Sequence, residues 1–258
     1  MLPGLILILL TLASCALFVI RPVWFPLAVT PDALAFDRQF LRTLWISGLL
    51  FIALQLLLAW SVLRKRTNSP GSRSNGHFRL EASWTALAVV LFLTLSITGS
   101  RSWAKVAVTA PEKETIEVYA HQFAWHFRYT GPDGKFGVTG PKFISDAGGN
   151  PFGIDPDDKA GRDDIVSATL RIPAGREVLL LLHSRDVIHD FFVRELRTKQ
   201  DIVPGMEIPL NIRVDRPGTY EIACAELCGL GHSQMRGVLL AMDPNDYAAW
   251  KRAQETQR

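Results

Sequence analysis

Apolar positions fall into two regimes along this chain. Before Gly99 they form long uninterrupted runs, whereas the remainder alternates apolar with polar positions and is broken repeatedly by Gly, Pro and Asp. Residues 2 to 20 are an apolar run interrupted by Pro3, Gly4 and small polar residues, and read either as a signal peptide or as a retained helix that adds a span. Residues 21 to 43, with Pro22, Pro26, Pro31, Asp32, Asp37 and Arg38, predict an extended stretch followed by a short interfacial helix. Leu44 to Leu63 carries no charge and is bracketed by Arg42 and Arg64-Lys65-Arg66, which predicts a membrane span. Residues 64 to 82 hold five basic residues against the single Glu81, so the positive-inside rule makes this loop cytoplasmic. Ser83 to Thr98 predicts the second span, with Trp84 and Trp103 at the interfaces. Residues 21–103 are thus expected to form a two-helix transmembrane hairpin, with everything from residue 104 onward outside.

Beyond Pro111 the periodicity is that of strands. Glu114 to Tyr129 is dense in β-branched and aromatic residues and reads as one strand ending at the turn Gly131-Pro132-Asp133-Gly134. Val166 to Ile172 and Glu177 to His183 flank Pro173-Ala174-Gly175 and predict a hairpin. Further strands are expected at Phe191 to Leu196, Ile208 to Val214, Thr219 to Cys224 and Gly237 to Met242, and a C-terminal helix over 247–258. Many short strands and no long helix among them indicate an all-β sandwich or barrel over 104–246. Gly140 to Asp164 is too polar and turn-rich for a core strand, so it reads as a solvated loop, with calcium binding by its carboxylates as the alternative.

Composition sharpens this division. Of the 258 residues 48% are hydrophobic, and the apolar share is concentrated in the first part of the chain. The formal charge of +3 is uneven: residues 105–258 carry 19 Lys and Arg against 22 Asp and Glu, a net of −3, and the preceding part carries +6. Nucleic acid is excluded as a partner, because binding it needs basic residues clustered on the exported domain. A mildly acidic domain suits a basic partner, and is equally the mark of an ordinary solvated surface. Only three cysteines occur, so no disulfide framework holds the domain together. Cys15 closes Leu12-Ala13-Ser14-Cys15, similar to a lipoprotein cleavage box, and reads either as a lipidation site or as a buried cysteine. No glycine-rich phosphate loop, Cys-x-x-Cys-His haem attachment or nucleophile-base pair is present.

The other two cysteines carry the chemistry. Cys224-Ala225-Glu226-Leu227-Cys228-Gly229-Leu230-Gly231-His232-Ser233-Gln234-Met235 packs two thiols, an imidazole and a thioether into one loop. Thiolate and thioether sulfur donate well to copper and poorly to magnesium or calcium. A tetrahedral zinc site would use paired cysteines two residues apart and no methionine. Cysteines four apart also suit a disulfide or a thiol-redox pair, but neither needs His232 or Met235. A second imidazole must come from elsewhere, and His189, following the apolar run Val178 to Leu182, is the strongest source. His121, His126 and His183 lie in or beside strand-like runs and read as packed or surface residues.

Cys-x-Glu-x-Cys-x-x-x-His-x-x-Met, preceded by Asp186-Val187-Ile188-His189, resembles subunit II of the haem-copper oxidases, and the likeness covers nearly all of residues 40 to 250. The resemblance implies a Greek-key cupredoxin-like barrel and a dinuclear copper centre, CuA. It makes Cys224 and Cys228 bridging ligands, His189 and His232 terminal imidazoles, Met235 a weak axial ligand and Glu226 a carbonyl ligand. The Glu226 side chain would reach a magnesium or manganese ion shared with the catalytic subunit. Such a subunit sits in the bacterial inner membrane with its copper domain on the outer face, takes electrons from cytochrome c or a similar donor, and passes them to haem in the catalytic haem-copper subunit I. A nitric-oxide reductase can carry a similar subunit, and a membrane-tethered thiol-redox copper chaperone shares Cys-x-x-x-Cys with a distant histidine. Quinol oxidases are disfavoured, since all six ligand positions are filled. The sequence departs from the family where Gln-Trp-x-Trp becomes Gln122-Phe123-Ala124-Trp125. Electron intake is therefore expected through Phe123, which stands where an indole usually lies, or a nearby loop, from a donor other than the usual soluble cytochrome c or docked differently, with Trp125 either on this route or, like Phe127, packing the barrel.

Overall fold

The structure, a computed structural model, describes residues 2–20, 25–64, 76–106 and 114–256. Lys65, Arg66 and Arg73 of the basic loop and the Trp103 side chain lie outside the described residues. Two compact units separate, one of residues 1–27 and 35–106, the other of 28–34 and 107–258.

In the first unit, α1 (Leu2–Val19), α2 (Pro31–Leu63) and α3 (Phe78–Val106) are each long and apolar enough to cross a membrane, so the described residues offer three candidate spans where a two-helix hairpin is expected. The expected interfacial helix and the first span are one continuous helix. Pro31 starts it, its fixed φ and missing N–H being harmless at a first helical position. The Thr30 hydroxyl accepts the Ala33 N–H at 2.9 Å as a side-chain cap. α3 also overruns its expected bounds of 83–98 at both ends.

The second unit is built from ten strands: β1 (Glu114–His121), β2 (Ala124–Tyr129), β3 (Ile165–Ser167), β4 (Thr169–Pro173), β5 (Glu177–Ser184), β6 (His189–Val193), β7 (Thr198–Ile202), β8 (Ile208–Arg213), β9 (Gly218–Cys224) and β10 (Arg236–Met242). They form two mixed five-stranded sheets, ordered β3-β2-β1-β5-β8 and β4-β10-β9-β6-β7, with β1 parallel to β5 and β4 parallel to β10. Alternate side chains face inward, as the two-residue period of a strand requires. Ile116, Val118 and Ala120, then Trp125, Phe127 and Tyr129, then Val178, Leu180 and Leu182, meet Leu170, Phe191, Ile222 and Leu239 of the other sheet in one apolar cluster. Burying each such large side chain contributes about 1.5–3 kcal/mol. Val29 joins this cluster, donating its N–H to the Glu195 carbonyl and accepting from Asp215, both at 3.2 Å. α4 (Pro244–Thr256) closes the domain and begins earlier than expected, again on a proline at its first position.

Two strand expectations are corrected. Glu114 to Tyr129 is a hairpin of β1 and β2 in register Ile116–Tyr129 to His121–Ala124, turning at Gln122-Phe123 with neither glycine nor proline to announce it. β4 and β5 are no hairpin, because they belong to different sheets. The turn between them bonds outward: Ala174 N–H donates to the Met242 carbonyl at 2.7 Å and Gly175 N–H to that of Val214 at 2.8 Å.

Gly140 to Asp164 forms no core strand and is at least partly exposed over most of its length, as expected of a solvated loop, yet together with the residues from Gly131 it also packs on the domain. It folds onto Arg128, which is 1% exposed on the outward face of β2 and donates to Asp164 Oδ2 through Nε at 2.9 Å, to Glu117 Oε2 at 3.0 Å and to the Gly137 carbonyl. The Phe136 ring lies 5.0 Å from its guanidinium carbon. Asp158 and Asp163 accept backbone N–H groups of Val138 and Asp133, and Asp146 binds Arg185 through both oxygens, so these carboxylates are engaged within the chain.

Candidate metal centre

Three strand ends converge on one edge of the domain. His189 opens β6, Cys224 closes β9, and the loop from Ala225 runs back to Met235 where β10 begins. Phe191 pairs with Cys224 across β6 and β9, which carries the His189 ring to the first thiol. The loop is closed by the Cys224 N–H donating to the Met235 carbonyl at 3.2 Å and turned by a single 3-10 turn at His232–Gln234.

The donor atoms form a nearly two-fold layout. Cys224 Sγ and Cys228 Sγ are 3.8 Å apart. His189 Nδ1 lies 3.9 Å from Cys224 Sγ, and His232 Nδ1 lies 3.6 Å from Cys228 Sγ. Met235 Sδ is 3.8 Å from Cys228 Sγ, while the Cys224 thiol donates to the Glu226 carbonyl at 3.1 Å. All six expected ligand residues are therefore brought together, and His189, Cys224 and Cys228 cluster tightly enough to hold an ion. His189 is fully buried, Met235 is 1% exposed, and both thiols are buried. Burial first, then the neighbouring Cys224 thiol, push the Cys228 thiol up to about 11. A bound cation reverses this by displacing the protons, which couples metal uptake to proton release. The donor set of two sulfurs, two imidazoles and a thioether fits copper.

Two residues named in the sequence motifs but given no role there, Asp186 and Gln122, support the ligands. His189 Nε2 faces Asp186 Oδ1 at 2.8 Å, leaving Nδ1 for the metal, which is the usual carboxylate-imidazole support of a metal-bound histidine. Asp186 Oδ2 accepts the Gln122 N–H at 2.8 Å, and Gln122 Nε2 donates to the Cys228 carbonyl at 2.5 Å. The available signal was Asp186 three residues before His189. Asp190, next to His189 in β6, is pushed up to about 6 by burial first and then by Asp201, with Lys199 Nζ at 3.2 Å pulling it down.

Of the two expected intake residues, Phe123 is 37% exposed at the tip of the β1–β2 turn. Its ring lies on the loop: a Cβ at Gly231 would fall 2.4 Å from it. Trp125 is buried, edge-on to the His189 ring at 6.5 Å and to Phe191 at 5.9 Å. The Glu226 side chain is exposed. His121 and His126 stack on each other at 5.1 Å on the outward face of the hairpin, away from the thiols in sequence and in bonding.

The family described as cytochrome C oxidase subunit II, periplasmic domain, matches residues 114–242. The alternative cytochrome c oxidase subunit 2 of Bradyrhizobium diazoefficiens is 34% identical over 261 residues, covering 98% of this chain and 92% of that protein. The cytochrome c oxidase subunit 2 of Thermostichus vulcanus is 31% identical over 247 residues, covering 84% and 74%. Among solved structures, the periplasmic domain of subunit II of cytochrome oxidase from Bradyrhizobium japonicum matches with a TM-score of 0.41 at 22% identity, covering 58% of this chain and 99% of that one. The chain belongs to the cytochrome c oxidase subunit II family, a cupredoxin-like β domain behind apolar N-terminal helices that serves as the electron-transfer subunit of a terminal oxidase.

Proposed function

We propose that His189, Cys224, Glu226, Cys228, His232 and Met235 hold a dinuclear copper centre through which electrons pass from a c-type cytochrome or similar donor to haem in the catalytic subunit. The observation that carries this reading is the paired layout, two thiols 3.8 Å apart with one imidazole Nδ1 beside each at 3.9 and 3.6 Å. When bound, the copper pair supplies a one-electron redox site whose charge is shared between two ions. The chain's part is to bury the thiols away from water, to hold His189 through Nε2 so that its Nδ1 faces the thiols, and to anchor the ligand loop between the ends of β9 and β10. Phe123 is the intake residue, being exposed and in contact with the loop, and Trp125 lies against His189. Glu226, exposed beside the thiols, is available to a magnesium or manganese ion shared with the catalytic subunit. A Greek-key barrel, a cytoplasmic 64–82 loop and a domain from residue 104 on the periplasmic face complete the reading.

Electron paramagnetic resonance of the full-length subunit loaded with copper tests it. A seven-line pattern is expected from a delocalised pair, and Cys228→Ser should abolish it because one thiolate cannot hold two equivalent ions. One copper with a four-line spectrum would sink the dinuclear assignment. In the oxidase complex, Phe123→Ala should lower cytochrome-driven turnover at constant copper content, and an unchanged rate would remove Phe123 from the intake route.

A further inference from the structure

We propose that Gln122 is a positioning residue that ties the two ligand-bearing segments of the copper centre together. This inference rests on the copper reading above. The β1–β2 turn reaches the site through three contacts. Gln122 Nε2 donates to the Cys228 carbonyl at 2.5 Å, the Gln122 backbone N–H donates to Asp186 Oδ2 at 2.8 Å, and the Phe123 ring covers the Gly229 to Gly231 backbone. Asp186 in turn holds His189 Nε2 at 2.8 Å through its other oxygen. One residue thus bonds with its side chain to the Cys228 segment and with its main chain to the His189 segment.

The Cys228 carbonyl belongs to the peptide that leads into Gly229, whose φ of +135° only glycine adopts without strain. Among the described residues Gln122 is the donor that reaches this carbonyl. Removing it leaves a partly buried acceptor without a partner and frees the peptide that orients the Cys228 thiol. Ligand-supporting hydrogen bonds of this kind typically affect metal affinity by about 10–100-fold. The amide must therefore act on the retention of copper and on the order of the loop even before metal arrives.

Gln122→Glu and Gln122→Met separate this from a packing role. Both keep the side chain's length and the backbone N–H to Asp186, and both lack the amide donor. With the full-length subunit in detergent, copper release to bathocuproine disulfonate after ascorbate reduction should be about tenfold or more faster in both variants. Their copper hyperfine splitting should also differ from that of the unsubstituted protein. In metal-free protein, amide hydrogen exchange at residues 227–231 should quicken by about tenfold, the equivalent of 1.4 kcal/mol of lost local protection. Release and metal-free exchange within about twofold of the unsubstituted protein would overturn the proposal. If the unsubstituted chain binds no copper pair, the functional reading fails, and the metal-free exchange still decides whether Gln122 holds the loop.

Discussion

Arg185 can only donate, so its Nη2 contact of 2.9 Å with His121 Nδ1 makes that nitrogen an acceptor and places the imidazole proton on Nε2. That proton points at His126 Nε2, 3.1 Å away, and the two rings form a directed chain that works only while both are neutral. Burial first and then the Arg185 guanidinium hold His121 below the ordinary histidine range, with Asp146 opposing. Burial first and then His121 do the same to His126, and burial lowers His183. A depressed histidine contributes stability that is fully present above the unfolded pKa of about 6.5 and is lost as pH falls from there toward the folded value. The melting temperature of the full-length subunit should accordingly drop between about pH 7 and pH 5. His126→Gln, which can still accept the His121 proton but cannot be charged, should flatten that drop, and an unaltered slope would contradict the assignment. The ligand loop is legible in the sequence because sulfur and imidazole donors are rare enough to be conspicuous when crowded together. Gln122 and Asp186 are not, since an amide and a carboxylate acquire their roles only when the turn and the His189 segment meet in space.

Among the elements, the segment 131–164 is the loop its pattern indicates but holds a contact that the pattern does not reveal. Its Gly, Pro and Asp density has the composition of a loop, yet Arg128 draws Asp164 and Glu117 beneath it on the outward face of β1 and β2. An arginine among alternating strand residues normally marks the solvent side, so nothing local reveals that another segment will cover it. The strands themselves are legible wherever two-residue alternation is clean, and the β1–β2 turn is missed because Gln122-Phe123 has no turn residue. Burial raises both carboxyls, Asp164 and Glu117, and Arg128 pulls each back down, which makes this a group of mutually dependent charges. Asp164 is 0% exposed, and removing one partner of such a buried pair costs about 3 kcal/mol because the other charge stays desolvated. Asp164→Asn should therefore open the segment about 100-fold more often and speed limited proteolysis near Gly148 in proportion. Cleavage at the unsubstituted rate would show that Arg128 does not hold the cover down. The copper spectrum should remain unchanged, because Arg128 gathers Asp164, Glu117 and Gly137 on the outward face of β2 while the ligands lie at the ends of β6 and β9 and in the loop before β10.

At the scale of the whole molecule, hydropathy divides the chain into an apolar part and a strand-rich part but leaves the fate of residues 2–20 open, since a signal peptide and a span have the same composition. The packing of α1 favours the span. Gly4, Leu7, Ile8, Thr11, Cys15 and Phe18 are the buried or half-buried positions of α1, spaced three and four apart along one face. That face meets α2 closely: a Cβ at Gly4 would lie 2.6 Å from Leu63 Cγ, and Phe18 meets Trp45 edge-on at 4.6 Å. Gly4 beside Leu63 and Phe18 beside Trp45 make the two helices antiparallel, the arrangement of consecutive spans. Small residues at such a contact let backbones approach, which is how helices associate in a bilayer that offers no hydrophobic driving force between them. A leader destined for removal has no use for a face shaped to its neighbour, and Cys15, half-buried, falls at a position of that face. We therefore expect the mature subunit to keep residues 2–19 as a third span with an unmodified Cys15 thiol. Intact-mass measurement and N-terminal sequencing of the subunit purified from membranes decide this. A mature chain starting at Cys15 with an added lipid mass, or anywhere beyond Val19, would overturn it.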